Sequence, residues 1–159
     1  MHDSLLAITN DLLPVTLERD GLLQTIEDFI SEIEIRSGLS VVYHAHAAAE
    51  RMIMAHLKIH VYRIVTEMVQ NTLKHANAKH INLQITSRKN KLHLYYSDNG
   101  KGFNLKKDLV HKRGLGLNNI NSRVELLQGQ LMLDTGRGRG VHYEIIIPVY
   151  EKHKAVDSR

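Results

Sequence analysis

The chain has 159 residues, a formal net charge of +4 and no cysteine. At 43% hydrophobic and 24% charged residues it has the composition of one soluble globular domain with a sizeable core. This excludes disulfides and cysteine-ligated zinc; no run of about 18 apolar residues is long enough to cross a membrane, and MHDSLLAITNDLLP lacks the basic start and small-residue cleavage site of a secretion signal.

The basic excess sits in RKNK (88–91), KK (106–107), HKR (111–113) and RGR (137–139). No aromatic residues are interleaved with these runs to stack on bases, so nucleic acid is not an expected partner. A bound phosphate ligand would use the same charges.

In chain order, residues 4–13 predict a short helix stopped by Pro14. Leu22, Ile26, Phe29, Ile30 and Ile33 have helical spacing over 22–36, and Ser37-Gly38 ends that helix. Leu39 to Tyr43 reads as a strand. A long helix runs from about Leu57 to Ala76, with Val61, Ile64, Val65 and Met68 as its buried stripe. HINLQITS (80–87) and KLHLYYS (91–97) alternate and form a hairpin through RKN. A lysine-rich connector covers 103–113. GLGLNNINSRVELLQG (114–129) opens on glycines and becomes a helix. QLMLDT and VHYEIIIPV are final strands joined by GRGRG, and the tail EKHKAVDSR is expected to fray. Helices precede a sheet of short-turn neighbours, which predicts an α+β fold: a two-layer α/β sandwich with a mixed, mostly antiparallel sheet and helices on one face.

Three polar features stand out. On the long helix, TEMVQNTLKHA places Glu67, Asn71 and Lys74/His75 on one side. A solvated polar face is the plain alternative. Oxygen ligands from Glu and Asn beside a cation also suit Mg²⁺ holding phosphate. Second, YYSDNGKGF (95–103) ends a strand in Asp98, with Gly100 and Gly102 close behind. Alone, it reads as a type I′ hairpin turn. A buried carboxylate needs a donor partner, however, and an adenine amine is one such donor. The glycines would let backbone approach a flat ring. Third, Gly114-Leu115-Gly116-Leu117 opens a helix, where free amides and the helix dipole attract phosphate. A glycine-rich helix cap is the simpler reading of that piece taken alone.

The order E-x-x-x-N-x-x-K-H-A, D-x-G-x-G-F, G-L-G-L and a final G-x-G resembles the GHKL ATP-binding family, over residues about 57–149. The nearest likeness is to the catalytic domains of bacterial sensor histidine kinases, and NDLLPVTLERDGL (10–22) resembles the lead-in of the NarX/DesK-type subgroup. The resemblance implies a Bergerat-type ATP-binding fold spanning 22–150, after a remnant of a dimerisation helix and linker at 1–21 and before a disordered tail at 151–159. It implies ATP and Mg²⁺ as cofactors. Asn71 would ligate the metal with Glu67 beside it, and these two would be the catalytic pair. Lys74 and His75 would face phosphates. Asp98 would accept from adenine, with Gly100 and Gly102 shaping the pocket floor. Residues 103–113 would form a lid in which Lys106, Lys107, Lys112 and Arg113 meet phosphate charge. Gly114, Leu115, Gly116 and Leu117 would form its hinge and phosphate-facing loop.

One departure stands in the last motif. The family usually has Thr after the G-x-G, where this chain has Val141. A missing hydrogen bond is worth about 0.5–1.5 kcal/mol, so ATP binding is expected to be intact and weaker.

The function implied is transfer of the ATP γ-phosphoryl group to a histidine on a dimerisation helix, then to the receiver domain of a response regulator. His2-Asp3 has the family's acceptor pairing, yet it lies only twelve residues before Pro14, where the resemblance places the end of the second dimerisation helix. The expectation is a catalytic domain separated from its sensor and phosphoacceptor helices, cytoplasmic, from a parent whose membrane anchoring stays open. A serine kinase of the anti-sigma type and a non-catalytic nucleotide-binding or docking module are the alternatives. His56 and His60 are spaced to clasp a metal but lack a convincing third ligand, and a surface role is preferred.

Overall fold

The structure is a computed structural model that describes residues 15–105 and 115–149. The predicted helix over 4–13, His2, the tail, and Lys106, Lys107, Lys112, Arg113 and Gly114 of the expected lid and hinge lie outside the described residues. The described elements are α1 (Val15–Arg19), α2 (Leu22–Ser37), β1 (Ser40–Ala45), α3 (Ala47–Met52), α4 (Ala55–Asn71), β2 (His80–Arg88), β3 (Lys91–Asp98), α5 (Leu115–Leu126), β4 (Gln130–Thr135) and β5 (Val141–Pro148).

The five strands form one sheet in the order β1-β2-β3-β5-β4. β2 with β3, β3 with β5 and β4 with β5 are antiparallel. β1 runs parallel to β2, with Val41 opposite Ile81 and Tyr43 opposite Leu83. A parallel pair needs a crossover, and α3 and α4 supply it. Lys89 and Asn90 both have positive φ, 50° and 56°, between the paired Arg88 and Lys91. This is the two-residue primed turn whose twist suits a hairpin.

Strand alternation sorts the sheet into two faces. Ile81, Leu83, Ile85, Leu92, Leu94, Tyr96, Val141, Tyr143, Ile145 and Ile147 are buried on one of them. Asn82, Gln84, His93, Ser97 and Glu144 alternate with them on the other. The apolar stripes of α2, α4 and α5 close the core over the buried face through Ile26, Phe29, Ile30, Ile64, Val65, Met68, Ile120 and Val124. Phe29 and Tyr62 meet edge to face at 6.2 Å. α1 adds Leu17 to the same core. This is the two-layer α+β arrangement expected, with its mixed sheet.

Four local features depart from the expected elements, the first being α1, a short helix directly after Pro14 where none was expected. α3 was not foreseen; His46 caps it by accepting from the Ala48 amide through Nδ1 at 3.2 Å. β1 begins one residue late and extends to Ala45; Leu39 is buried, and its amide donates to Ser37 Oγ at 3.2 Å in place of a strand partner. The long helix keeps α geometry only to Asn71, then widens into a π-helical turn over Thr72–Ala76 that ends at Asn77 with φ 50°.

The N-terminus of α2 is capped from a distance. Gly21 carries no side chain, and the Glu50 carboxylate of α3 accepts from the Leu22 amide at 3.0 Å and the Leu23 amide at 2.9 Å. Lys58 of α4 completes an ion pair with it. Burial pushes the Glu50 carboxyl up, but the Lys58 bond and the two amides outweigh it and hold it below its ordinary value of 4.5. A carboxylate depressed in the folded state stabilises the fold above its unfolded value, and that contribution fades as pH falls through the folded one. Replacing Glu50 with Gln is therefore expected to cost about 1 kcal/mol at neutral pH, allowing for partial exposure. Urea unfolding should show the difference at pH near 7 and its decline as the pH falls below 4.5.

Candidate nucleotide site

Asp98 closes β3 and is only 5% exposed. A carboxylate this deep must be matched by donors. Its Oδ1 accepts from the Gly100 amide at 2.9 Å and from the Val141 amide at 3.3 Å. Its Oδ2 accepts from the Thr72 hydroxyl at 2.7 Å. Three donors from three segments thus hold the group in one orientation. A carboxylate has about four lone-pair sites. These bonds account for three, which leaves one acceptor site on Oδ2.

Thr72 and Tyr96 form a buried pair behind the acid. The two hydroxyl oxygens are 2.6 Å apart, and the Met68 carbonyl lies 3.2 Å from Tyr96 Oη. Neither residue was singled out from the sequence. Tyr96 falls on an inward position of an alternating strand, where a large side chain reads as core. Thr72 sits among the polar residues of the helix end without a motif of its own. The available signal was a hydroxyl at each of two positions whose period calls for an apolar residue.

The DNGKGF stretch does not close a hairpin. β3 pairs with β2 and with β5, and the chain after Asp98 leaves the sheet. Asn99 fastens it by accepting from the Lys79 and His80 amides at 2.9 Å each. The Lys101 amide donates to the Ala76 carbonyl at 2.8 Å. A Cβ built at Gly100 would lie 2.4 Å from that same carbonyl oxygen. At Gly102, with φ 59°, it would lie 2.1 Å from the Gly136 carbonyl. The close approach made by both glycines is therefore to the protein's own backbone, and through it they lock the loop against the π-turn and the GRGRG segment. Gly140, with φ 71°, seats that segment on Asp98, whose carbonyl oxygen a Cβ would meet at 2.0 Å.

Glu67 and Asn71 lie on the last two turns of α4 and face the start of α5. A Cβ built at Gly116 would lie 2.6 Å from Asn71 Oδ1 and 2.7 Å from Glu67 Oε1. An amide oxygen and a carboxylate oxygen therefore converge on the same small space beside a helix start. Two hard oxygen donors suit Mg²⁺, with phosphate and water completing its shell. Leu117 packs against the core. Lys74 and His75 are exposed on the π-turn. Arg123 of α5 is pulled below its ordinary value by burial and by Arg63, while Glu67 opposes the shift.

Tyr143 joins the two halves. It is 3% exposed and meets Tyr96 edge to face at 6.0 Å. Burial drives its hydroxyl far up, the charges of Asp98 and Glu67 add to this, and a hydrogen bond with Asn71 opposes it. Asp98 and the oxygen pair thus share one buried neighbour. His60 is held below its ordinary value by burial and then by Arg123, Arg63 and His56. Among the described residues, no group of three or more His, Asp or Glu side chains could hold a metal ion.

Residues 56–151 match the model of a family described as Histidine kinase-, DNA gyrase B-, and HSP90-like ATPase. The chain belongs to this ATPase family. Among curated proteins the domain is similar to the signal transduction histidine-protein kinase/phosphatase DegS of Brevibacillus brevis, with 34% identity over 144 residues. That alignment covers 89% of this chain and 36% of DegS. Similarity to the sensor histidine kinase ComP of Bacillus subtilis is 29% over 141 residues, covering 87% of this chain and 18% of ComP. The chain thus spans well under half the length of these relatives. Among solved structures, the Erythrobacter litoralis EL346 blue-light activated histidine kinase superposes with TM-score 0.68 at 21% identity, covering 82% of this chain and 42% of that one. The mycobacterial sensor histidine kinase MprB gives 0.58 at 17%, covering 79% of this chain and 92% of that one. At these identities the structural likeness is one of fold.

Gly116→Ala separates the site from the scaffold of this ATPase-family domain. Alanine favours the helix by up to about 1 kcal/mol. The atoms its methyl meets are the mobile ends of Glu67 and Asn71, which can move aside. The variant should keep or raise its melting temperature while losing Mg²⁺-dependent nucleotide binding at least tenfold, as read by calorimetry beside a thermal melt.

Proposed function

We propose that this chain is the ATP- and Mg²⁺-binding catalytic domain of a two-component sensor histidine kinase. The observation that carries the reading is the pairing of a buried acceptor, Asp98, with the Asn71–Glu67 oxygens at the other end of one site. Family membership and relatives named as histidine kinases support it.

Asp98 accepts from the adenine amine through the open site on Oδ2. Asn71 and Glu67 hold Mg²⁺, which when bound neutralises triphosphate charge. The start of α5 offers backbone amides to the phosphates, and residues 103–113 act as the lid, with Lys112 and Arg113 contributing charge. Phosphoryl transfer is mainly a matter of positioning and charge. A histidine nitrogen on a dimerisation helix forms the new N–P bond as the bond from the γ-phosphorus to the β–γ bridging oxygen breaks, and ADP leaves. The phosphoryl group then passes to a receiver domain of a response regulator. Alone, the chain binds nucleotide without labelling itself, because His2 is not the acceptor. Among the described residues no helix is long and apolar enough to cross a membrane. The domain works in the cytoplasm, where its nucleotide and regulator are found.

Calorimetry with ATP and Mg²⁺ tests this. The unaltered chain should bind. Asp98→Asn sets an amide donor against the adenine amine and should weaken binding about 10–100-fold, the equivalent of losing one or two hydrogen bonds to a charged group. Asn71→Ala should remove most of the Mg²⁺ dependence. A chain that ignores ATP at millimolar levels, or that binds DNA instead, contradicts the proposal.

A further inference from the structure

The buried hydroxyl pair is not explained by folding alone. Thr72 is 3% exposed and Tyr96 is fully buried, and each places a polar atom where a methyl or a phenyl ring would pack. Their proton order can be worked out. The Thr72 hydroxyl has one proton, and the 2.7 Å contact with an ionised acceptor takes it. The 2.6 Å contact between Thr72 and Tyr96 must then run from Tyr96 to Thr72, with the Met68 carbonyl as a weaker, longer neighbour at 3.2 Å. The direction is Tyr96 to Thr72 to Asp98 Oδ2. With Oδ1 held by the Gly100 and Val141 amides, Asp98 presents one acceptor site and no donor.

That arrangement discriminates between purines. A 6-amino group offers a proton to the open site. A 6-oxo group offers a lone pair and is repelled. Remove the Thr72 hydroxyl and Oδ2 has two open sites. A water can then bind there, and water can either donate or accept, so it can adapt the pocket to a 6-oxopurine. Resting on the functional reading above, we propose that Thr72, aligned by Tyr96, is the positioning residue that makes the site select 6-aminopurine over 6-oxopurine nucleotides. It also meets the lack of a side-chain hydroxyl at Val141, which contributes only its backbone amide to Asp98. Asn71 immediately precedes Thr72, so consecutive residues at the helix end serve the metal half and the base half of one site.

The test uses the whole chain with Mg²⁺ and three probes: ATP, GTP, and purine riboside triphosphate, which lacks the 6-substituent. The unaltered chain should prefer ATP to GTP. Thr72→Val should lower that ratio about tenfold while changing the affinity for purine riboside triphosphate less than twofold. Thr72→Ser should restore most of the preference, and Tyr96→Phe should give an intermediate ratio. The serine and phenylalanine variants carry the comparison if the valine variant does not fold. An unchanged ATP-to-GTP ratio overturns the inference, and so does an equal loss for all three nucleotides, which a merely structural role would give. ATP binding by the unaltered chain with an unchanged ratio in the variants refutes this inference alone. No ATP binding by the unaltered chain refutes the functional reading beneath it.

Discussion

The carboxylate of Asp98 is the point on which the site is built. It accepts from the helix end through Thr72, from the outgoing loop through Gly100 and from β5 through Val141. Removing any one donor leaves an acceptor site of a buried carboxylate unmatched, and breaking such a network costs more than the single bond. The same contacts fix the relation of α4 to the sheet at the end where the oxygens of Glu67 and Asn71 meet α5. The seating of the helix end on the sheet and the orientation of Asp98 thus share one set of bonds.

This explains the glycines as well. Gly100 is pressed on the Ala76 carbonyl, and Gly102 and Gly140 bring the two loops at the sheet end together. They shape the site indirectly, by letting the backbone that surrounds Asp98 close in. Tyr143 fills the space between the two halves, and its hydroxyl is driven up by burial and by both acids. This buried aromatic lies near two carboxylates while its polar atom stays matched to Asn71.

Much of this was legible in the sequence because it is local. The periodic stripes of α2 and α4 marked their buried faces, alternation marked β2, β3 and β5, and Lys89-Asn90 sits in the turn that a short hairpin requires. Glu67, Asn71 and Asp98 stood out as polar groups at the ends of apolar elements. The parts that stayed hidden are set at long range. The capping of α2 by Glu50 joins residues 28 positions apart. The Thr72–Asp98 bond spans 26 positions and the Tyr96–Thr72 bond 24. Nothing in the spacing of TLKHA announces a π-turn. The stretch DNGKG reads as a hairpin by local chemistry, and only the pairing of β3 with β5 rules that out.

The proposed function requires that Asp98 and Asn71 respond to one bound molecule. The direct measurement is an amide NMR titration of the isotope-labelled chain with Mg²⁺ and a non-hydrolysable ATP analogue. The backbone amides of Thr72, Gly100 and Val141 and the side-chain amide of Asn71 should all shift along one binding curve with a single midpoint. Shifts at Asn71 with silence at Thr72, Gly100 and Val141, or two separate midpoints, would contradict the account.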